Sequence, residues 1–437
     1  MPPYKQKLIN KINNKRAKIA VIGLGYVGLP LAVEFAKQGF FVFGIDTDKE
    51  KIKKLKQGKS YIQDIANKTL KEILKNKLFS FSYDYKNLIK ADVLIISVPT
   101  PLRKTREPDI SYVVNATREI KDNFKKGQLI ILESTTYPGT TEELLLPLFS
   151  EKGWKVGRDF FLAFSPERID PGNKNFSTSN ITKIIGGVTK DCTYLAKLIY
   201  SKIISEVISV SSSRVAEMAK LLENTFRSVN IGLINEIALM SDKLRINIWE
   251  VIEAAKTKPF GFMPFYPGPG LGGHCLPIDP LYLTWKSRLH GFEPRLIEIA
   301  SQINSYMPKH VVKKVIELIN IKLKRSILNV NILIVGAAYK GDVCDTRESP
   351  AIDIIRMLIR KKAKVYYHDP YVPKLSLVEK TLRSIKLTKK NIAKSDCIVI
   401  VTDHAIIDYN LILEKAKLIF DTRNVYKKSN NRKIFRI

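Results

Sequence analysis

Cysteine is scarce in this chain, and long apolar runs are absent from it. The four cysteines among 437 residues stand far apart without a Cys-x-x-Cys pair, so the spacing indicates neither a disulfide framework nor a metal site. Scattered thiols are typical of a reducing compartment, and we expect a cytoplasmic location. No stretch is long and apolar enough to cross a bilayer, so we expect no membrane partner.

Acidic residues are also few relative to basic ones. The chain has 42 Asp and Glu against 73 Lys and Arg, a formal net charge of +31. Such a charge suits a nucleic acid, an anionic membrane or a phosphorylated substrate. The lysines are nevertheless scattered through nearly every segment, without interleaved aromatic residues or a nucleic-acid motif. We interpret them as a solvated surface and expect no nucleic-acid partner.

Short β-branched runs alternate with helical stretches from Lys18 onwards, a pattern typical of parallel βαβ units. Apolar residues then recur at helical spacing from 212 to about 244, which predicts one long helix. Strand-like runs return after residue 330. We therefore predict an α/β protein with two doubly wound Rossmann-like domains, residues 17–208 and 325–437. A long central helix and a helical middle domain, residues 209–324, would join them.

The segment AVIGLGYVGLP carries a dinucleotide-binding pattern, Gly23-x-Gly25-x-x-Gly28, between a predicted strand and a predicted helix. Gly23 permits the tight turn, Gly25 lets a pyrophosphate approach the backbone, and Gly28 lets helix pack on strand. Asp46 ends the next predicted strand, where a carboxylate accepts hydrogen bonds from a ribose diol. Because Asp46 would repel a ribose phosphate, we expect NAD rather than NADP, with FAD as an alternative.

The segment GPGLGGHCLPIDP surrounds Cys275 with glycine and proline. Glycine lets backbone N–H groups converge on an anion, which favours a nucleophilic thiolate, although a lone cysteine is often a small buried hydrophobe. We expect His274 to be structural, because neighbours in an extended chain point to opposite sides. Asp279 is a candidate for proton transfer, or a cap of the helix predicted from Pro280.

Four more residues are candidates for the same site. Lys220 and Asn224 lie one turn apart on the predicted long helix, where they would stabilise an oxyanion or form a solvated face. Thr135 and Glu167 follow predicted strands, at the edge where parallel sheets bind ligands, or else form turns and caps. An NAD enzyme with a nucleophilic cysteine oxidises an aldehyde through a thiohemiacetal and a thioester.

Seven motifs resemble, in order, those of the UDP-glucose/GDP-mannose dehydrogenases: GLGYVGLP, VPTP (98–101), ESTTYPGTTEEL (133–144), SPER (165–168), AKLLEN (219–224), GGHCLPIDP (272–280) and DTRESP (345–350). The resemblance runs from about residue 17 to the end. It implies an NAD-dependent, four-electron oxidation of the C6 alcohol of a UDP-sugar to a carboxylate. Within the family, SPERIDPGN (165–173) and residues 257–286 look most like enzymes that act on UDP-N-acetylglucosamine in bacterial surface-polysaccharide synthesis.

The resemblance also implies roles for residues that match the family's motifs. Cys275 would be the nucleophile, and Lys220 and Asn224 would stabilise oxyanions. Asp279 and Thr135 would assist proton transfer through water, and Glu167 would act as an acid/base. The implied NAD contacts are Gly23, Gly25, Tyr26, Val27, Gly28, Asp46, Lys51, Thr100, Thr135 and Arg347. The implied substrate contacts are Glu167, Arg168, Lys220, Asn224, Tyr266, Gly268, Gly270, Gly272, Gly273, Lys340 and Arg423. The long helix resembles the family's dimer-forming helix, which implies a homodimer or a higher homo-oligomer.

Other functions stay open at this point. Within the family, the substrate would instead be UDP-glucose, UDP-N-acetylmannosamine or UDP-N-acetylgalactosamine. A two-electron β-hydroxyacid dehydrogenase would also combine a dinucleotide domain with Lys220 and Asn224, but it would need neither Cys275 nor the C-terminal domain. A non-enzymatic protein that binds NAD or nucleic acid would use the positive charge, but binding alone does not require a thiol, a lysine and carboxylates together.

Overall fold

The computed structural model describes residues 3–62, 65–103, 107–169, 178–378, 380–427, 429 and 431–437. The chain packs as two compact units, Met1–Glu223 with Leu281–His290, and Asn224–Pro280 with Gly291–Ile437. Residues 170–173 of the predicted SPERIDPGN motif lie outside the described residues. The domain boundaries predicted near 208 and 324 stay predictions.

The first unit is built on an eight-stranded sheet. Its strands lie in the order β3-β2-β1-β4-β5-β6-β7-β8, and β6 and β7 pair antiparallel, whereas the other neighbours are parallel. Strands β1, β4 and β5 are rich in Ile, Val and Leu because a parallel sheet is buried on both faces. The strands are β1 Lys18–Ile22, β2 Phe41–Ile45, β3 Phe79–Ser82, β4 Val93–Ile96, β5 Leu129–Leu132, β6 Phe161–Phe164, β7 Lys183–Gly187 and β8 Val207–Ser209.

Helices cover this sheet, and the basic N-terminal segment forms one of them. Leu8, Ile9 and Ile12 of that helix are buried in the same core as residues of β1 and α7, so the segment belongs to the folded unit although the family motifs begin after it. The helices are α1 Pro3–Asn13, α2 Gly28–Lys37, α3 Lys49–Lys56, α4 Asn67–Lys75, α5 Ser111–Asp122, α6 Leu146–Ser150 and α7 Lys190–Tyr200, with a 3₁₀ helix at Tyr85–Lys90 and a π-helix at Thr141–Leu145.

A long helix, α8 Ser213–Leu244, follows β8 and agrees with the predicted bounds. Three more helices come after it: α9 Ile248–Ala255, α10 Asp279–Arg288 and α11 Arg295–Leu323. The sequence predicted helix at 248–256 and again from about 281 to 320, where the structure has α10 and α11 separated by a short connection.

The second unit contains a five-stranded parallel sheet in the order β10-β9-β13-β14-β15 and an antiparallel pair, β11 with β12. The predicted α/β class, with Rossmann-like sheets at both ends and helices between, is therefore confirmed. The elements are β9 Asn331–Val335, α12 Pro350–Arg360, β10 Lys364–His368, β11 Lys374–Ser376, β12 Thr381–Arg383, α13 Lys389–Lys394, β13 Cys397–Ile400, α14 Tyr409–Lys415, β14 Ile419–Asp421 and β15 Ile434–Arg436.

Candidate active site

The predicted dinucleotide turn joins β1 to α2. Gly23 has φ +91°, and a Cβ there would lie 2.3 Å from the carbonyl oxygen of Ser97, so glycine is required for both conformation and space. A Cβ at Gly28 would lie 1.9 Å from the carbonyl oxygen of Gly23. A Cβ at Gly25, by contrast, would meet no described atom within 4 Å. The open space above Gly25 fits the close backbone approach of a pyrophosphate.

Asp46 stands directly after β2 and faces this turn. Its Oδ2 accepts a hydrogen bond from the Leu24 N–H at 2.9 Å, and its Oδ1 accepts one from the Asp48 N–H at 2.9 Å. The Lys51 ammonium lies 3.5 Å from Oδ2. These contacts orient the carboxylate and leave lone pairs for further donors, such as the hydroxyls of a ribose. The residues therefore fit an NAD adenosine.

The other predicted NAD contacts lie in both units. Tyr26 is exposed and Val27 half-buried in the turn before α2. Thr100 is buried after β4, and its carbonyl accepts a hydrogen bond from the Tyr282 hydroxyl at 3.0 Å. Thr135 is half-buried after β5. Arg347 belongs to the second unit, where its guanidinium forms an ion pair with Asp345.

Glu167 lies just beyond β6 and is buried. Its Oε1 accepts hydrogen bonds from the N–H groups of Arg168 and Ile169, both at 2.7 Å, and its Oε2 accepts one from Lys183 at 3.2 Å. Burial alone would raise the pKa of Glu167, but the Lys183 charge and the two N–H donors bring that pKa below its ordinary value.

Arg168, predicted as a substrate contact, is already engaged within the first unit. Its guanidinium pairs with Glu223 of α8 at 2.9 Å and donates to the Thr182 carbonyl at 2.8 Å. Lys220, one turn before Asn224 on the same helix, is 8% exposed. Asn224 is 6% exposed, so the alternative of a solvated helix face is wrong for both residues.

Cys275 is exposed, so the alternative of a small buried hydrophobe is wrong. Its carbonyl accepts hydrogen bonds from the Ile278 N–H at 3.0 Å and the Asp279 N–H at 2.8 Å, which closes a tight turn before α10. Asp279 begins α10, and its Oδ2 accepts a hydrogen bond from the Asn224 side-chain amide. The structure thus brings two predicted catalytic residues, Asn224 and Asp279, together beside the turn that bears the thiol.

The glycine loop before Cys275 lies against other segments of the second unit. The Gly273 N–H donates to the Arg347 carbonyl at 3.0 Å, and a Cβ at Gly273 would lie 2.8 Å from the Tyr339 ring. A Cβ at Gly268 would lie 2.9 Å from the Arg423 guanidinium. Glycine is therefore needed at 268 and 273, because Arg423 and Tyr339 lie too close to leave room for a Cβ. The loop and Arg423, both predicted substrate contacts, are neighbours.

The remaining predicted substrate contacts flank this loop. A Cβ at Gly272 would also crowd Tyr339, and one at Gly270 would lie 3.2 Å from the Asn304 carbonyl. Lys340 is half-buried and follows Tyr339 in the turn after β9. Tyr266 stacks on Trp249 with ring centroids 6.2 Å apart.

The turn after β9 corresponds to the dinucleotide turn after β1, but the carboxylate that faces it has different partners. Asp369, after β10, takes the place of Asp46. Its Oδ2 accepts hydrogen bonds from the Ala337 and Ala338 N–H groups and from His404 Nε2, while its Oδ1 accepts two more backbone N–H groups. Burial opposes ionisation, but His404 and the backbone donors outweigh it and lower the pKa of Asp369 to about 2. This carboxylate is occupied by the protein, whereas Asp46 retains capacity for a ligand.

Models of the UDP-glucose/GDP-mannose dehydrogenase family match three parts of the chain: the NAD binding domain at residues 17–204, the central domain at 214–306 and the UDP binding domain at 333–428. A UDP-N-acetyl-D-glucosamine 6-dehydrogenase of Pseudomonas aeruginosa is 40% identical over 362 residues, covering 82% of this chain and 84% of the relative. The chain belongs to the UDP-glucose/GDP-mannose dehydrogenase family. It is a nucleotide-sugar dehydrogenase with NAD as its cofactor.

Two further comparisons extend over nearly the whole chain. A UDP-N-acetyl-D-mannosamine dehydrogenase of Pyrococcus horikoshii is 38% identical over 428 residues, covering 96% of this chain and 98% of the relative. A solved UDP-D-ManNAc dehydrogenase structure from Pyrococcus horikoshii is 35% identical, with a TM-score of 0.87 over 96% of this chain and 99% of that chain. The predicted family, fold and cofactor are therefore confirmed, and the sugar is not decided by these relatives.

Sequence reasoning missed several residues that support the site. Asn235 is fully buried: its Oδ1 accepts the Gly268 N–H at 3.0 Å, and its amide donates to Asn304 at 2.9 Å. Asn235 lies three helical turns after Asn224 on α8. The recurrence of a polar residue on one face of this helix could therefore have indicated Asn235 from the sequence. Lys183 and Glu133, which contact each other near Glu167, offered no such signal.

Within the described ranges, no group of three or more His, Cys, Asp or Glu residues is placed to hold a metal ion. None of the helices in these ranges combines the length and apolar composition that crossing a bilayer requires.

Proposed function

We propose that this protein oxidises the C6 hydroxyl of UDP-N-acetylglucosamine to a carboxylate and releases UDP-N-acetylglucosaminuronic acid. The observation that carries the proposal is the exposed Cys275 thiol, set in a glycine loop beside the buried Asn224–Asp279 pair. An exposed thiol next to a buried carboxylate and amide supplies a nucleophile and groups that handle protons and oxyanions. A single alcohol-to-ketone oxidation would need none of these together.

In the first oxidation, the C6 alcohol loses a hydride and a proton and becomes an aldehyde. The glycine turn and Asp46 would hold NAD, which when bound would supply the hydride acceptor for both oxidations. We assign the proton to Asp279, through water and with Thr135, while Lys220 and Asn224 stabilise the developing charge on the C6 oxygen.

In the second oxidation, the Cys275 thiolate adds to the aldehyde carbon, and the C6 oxygen takes up a proton to give a thiohemiacetal. Loss of a second hydride and of that proton gives a thioester. Water then breaks the carbon–sulfur bond, which returns the thiol and leaves the sugar carboxylate. We assign Glu167 as the acid/base for these proton transfers. Its ionised form, held by Lys183 and two N–H donors, is suited to activating the attacking water.

We place the uridine diphosphate of the substrate against the second unit. The UDP binding domain model covers Lys340 and Arg423, and Arg423 lies beside Gly268 of the glycine loop. A guanidinium, an ammonium and backbone N–H groups are the donors that a diphosphate binds in proteins.

A UDP-N-acetylmannosamine 6-dehydrogenase is the second candidate. The name belongs to relatives that match 96% of this chain, including the solved structure from Pyrococcus horikoshii. The two sugars differ only in configuration at C2, so the reaction and its residues would be unchanged.

The deciding experiment counts the NADH formed per sugar consumed, with excess NAD and limiting UDP-N-acetylglucosamine or UDP-N-acetylmannosamine in parallel. We expect about two NADH per sugar, with the higher kcat/KM for UDP-N-acetylglucosamine. Cys275→Ser is expected to form no acid, and Cys344→Ser, which alters another exposed thiol, serves as the matched control. About one NADH per sugar, unaffected by Cys275→Ser, would refute the nucleophile.

We also propose a homo-oligomer that acts in the cytoplasm, in surface-polysaccharide synthesis. Exposed apolar side chains recur along α8 at helical spacing, as in a helix that packs against a second copy. A reducing compartment such as the cytoplasm would keep an exposed catalytic thiol reduced. The exposed side chains are Val215, Met218, Leu222, Phe226, Leu233, Met240 and Leu244.

A further inference from the structure

The antiparallel step in the first sheet places a lysine at the edge where its ligands bind. Strand β6 runs antiparallel to β7, with Ala163 opposite Gly187 and Phe164 opposite Gly186. The same register, continued beyond the strand, sets Glu167 opposite Lys183. Lys183 is the first residue of β7, so this strand begins at the edge where β5 and β6 end.

Lys183 is 1% exposed and bridges two carboxylates at that edge. Its ammonium lies 2.6 Å from Glu133 Oε1 and 3.2 Å from Glu167 Oε2. The Tyr200 hydroxyl donates to the same Glu133 oxygen at 2.6 Å. Glu133 is also 1% exposed and directly follows β5, two residues before Thr135.

The charges in this cluster do not balance. Two buried carboxylates share one ammonium, and the lysine lies closer to Glu133 than to Glu167. Burial raises the pKa of Glu133 despite its contact with Lys183. Burial alone would lower the pKa of Lys183, but the two carboxylates keep that pKa above its ordinary value. The second oxygen of Glu133, Oε2, has no hydrogen-bond partner among the described residues. The two carboxylates therefore compete for Lys183.

The other polar side chains described near Glu167 contact different partners. Arg168 turns its guanidinium to Glu223 of α8, and the Tyr200 hydroxyl is committed to Glu133. Lys183 is thus the cation that contacts the Glu167 carboxylate within the described part of the chain.

We propose that Lys183 is a positioning residue that holds Glu167 ionised and correctly oriented, and that Glu133 sets how strongly it does so by competing for the same ammonium. The proposal rests on the proposed role of Glu167 as the acid/base. Replacing Lys183 with a neutral residue should favour the protonated Glu167, and neutralising Glu133 should favour the ionised one. The two substitutions thus act in opposite directions, which a general loss of packing would not produce.

The kinetic test measures kcat/KM against pH for the wild type and for each variant. In Lys183→Met, the acid limb is expected to move to higher pH by about 1 to 3 units, because Glu167 loses its cationic partner. In Glu133→Gln, it is expected to move to lower pH. Lys183→Arg keeps the charge and should leave the limb near its wild-type position even where kcat falls. The proposal would be overturned if the acid limb moved in the same direction in Lys183→Met and Glu133→Gln, or if it moved in neither variant.

A second readout does not depend on turnover. With 13C-labelled glutamate carboxyl groups, the infrared difference between each protein and its Glu167→Gln counterpart reports the ionisation of Glu167, together with any response of Glu133 where Glu133 is present. The titration of Glu167 should shift in the same opposite directions in the Lys183→Met and Glu133→Gln backgrounds. A protein that oxidises no nucleotide sugar would refute the proposed function, whereas the infrared titration would still decide the role of Lys183. If Lys183→Met does not fold, Lys183→Gln replaces it in the comparison with Glu133→Gln.

Discussion

Two glycines of the dinucleotide turn are expected to respond oppositely to the same added methyl group. At Gly25 an alanine Cβ would meet no described atom within 4 Å, and the backbone lies outside the left-handed region. At Gly28 the Cβ would lie 1.9 Å from a backbone oxygen of Gly23 and 3.2 Å from Val21. The first change leaves the fold intact and obstructs the cofactor, and the second damages the fold itself.

The magnitudes follow from these distances. Gly25→Ala should change the free energy of unfolding by no more than about 0.5 kcal/mol, as for an uncrowded surface site. A methyl group in the path of the pyrophosphate costs about 1–3 kcal/mol of binding, or roughly a 5- to 150-fold weaker NADH affinity. Gly28→Ala should cost the folded protein about 1–3 kcal/mol through overpacking, which lowers Tm by about 2–4 °C for each kcal/mol in a unit of this size.

The assay pairs NADH fluorescence titration with thermal unfolding in the absence of cofactor. We expect Gly25→Ala to bind NADH more weakly at an unchanged Tm, and Gly28→Ala to unfold at a lower Tm. If Gly25→Ala bound NADH as tightly as the wild type, the pyrophosphate would not pass over Gly25. If its Tm fell as far as that of Gly28→Ala, the space above Gly25 would not be open.

Three further predictions concern stability and assembly. Because the pKa of Asp369 is lowered to about 2, its contribution to stability is present above pH 4 and is lost as the pH falls to 2. Between pH 4 and pH 2 in denaturant titrations, the free energy of unfolding of the wild type should therefore fall by about 2 kcal/mol more than that of Asp369→Asn, and equal losses would contradict this. Asn235→Ala should lower the free energy of unfolding by about 1–3 kcal/mol, because the Gly268 N–H loses its buried acceptor. An unchanged midpoint in urea unfolding would contradict this. Leu233→Glu, on the exposed face of α8, should shift sedimentation toward the monomer, and an unchanged oligomer would exclude this face as the interface.

Much of the fold was predictable because its signals are local. The β-branched runs predicted β1, β2, β4, β5 and β6, and helical periodicity predicted α8 nearly to the residue. Six strands were missed, because none of them contains more than two consecutive apolar residues: β3, β7, β8, β11, β12 and β15.

The candidate site was also predictable from the sequence only in part. Motifs predicted Cys275, Asp279 and Asn224 as site residues, and their catalytic roles stay predictions. The exposure of the thiol and the burial of Asn224 came from the structure, because a single residue in a motif does not reveal what packs over it. The contact between Asn224 and Asp279 also came from the structure, since 55 positions separate them in the chain.

The sequence by itself determined the family, through seven motifs in order, and the cofactor and the glycine turn, because a strand, a helix start and an acid at this spacing are typical of dinucleotide binding. Only the tertiary structure decided which charges meet. Lys183 reaches Glu167 because one strand reverses direction in the sheet, and Asp369 is occupied by His404 whereas Asp46 keeps room for a ribose. Such pairings depend on strand order and packing over long separations in the chain, which no local pattern of residues encodes.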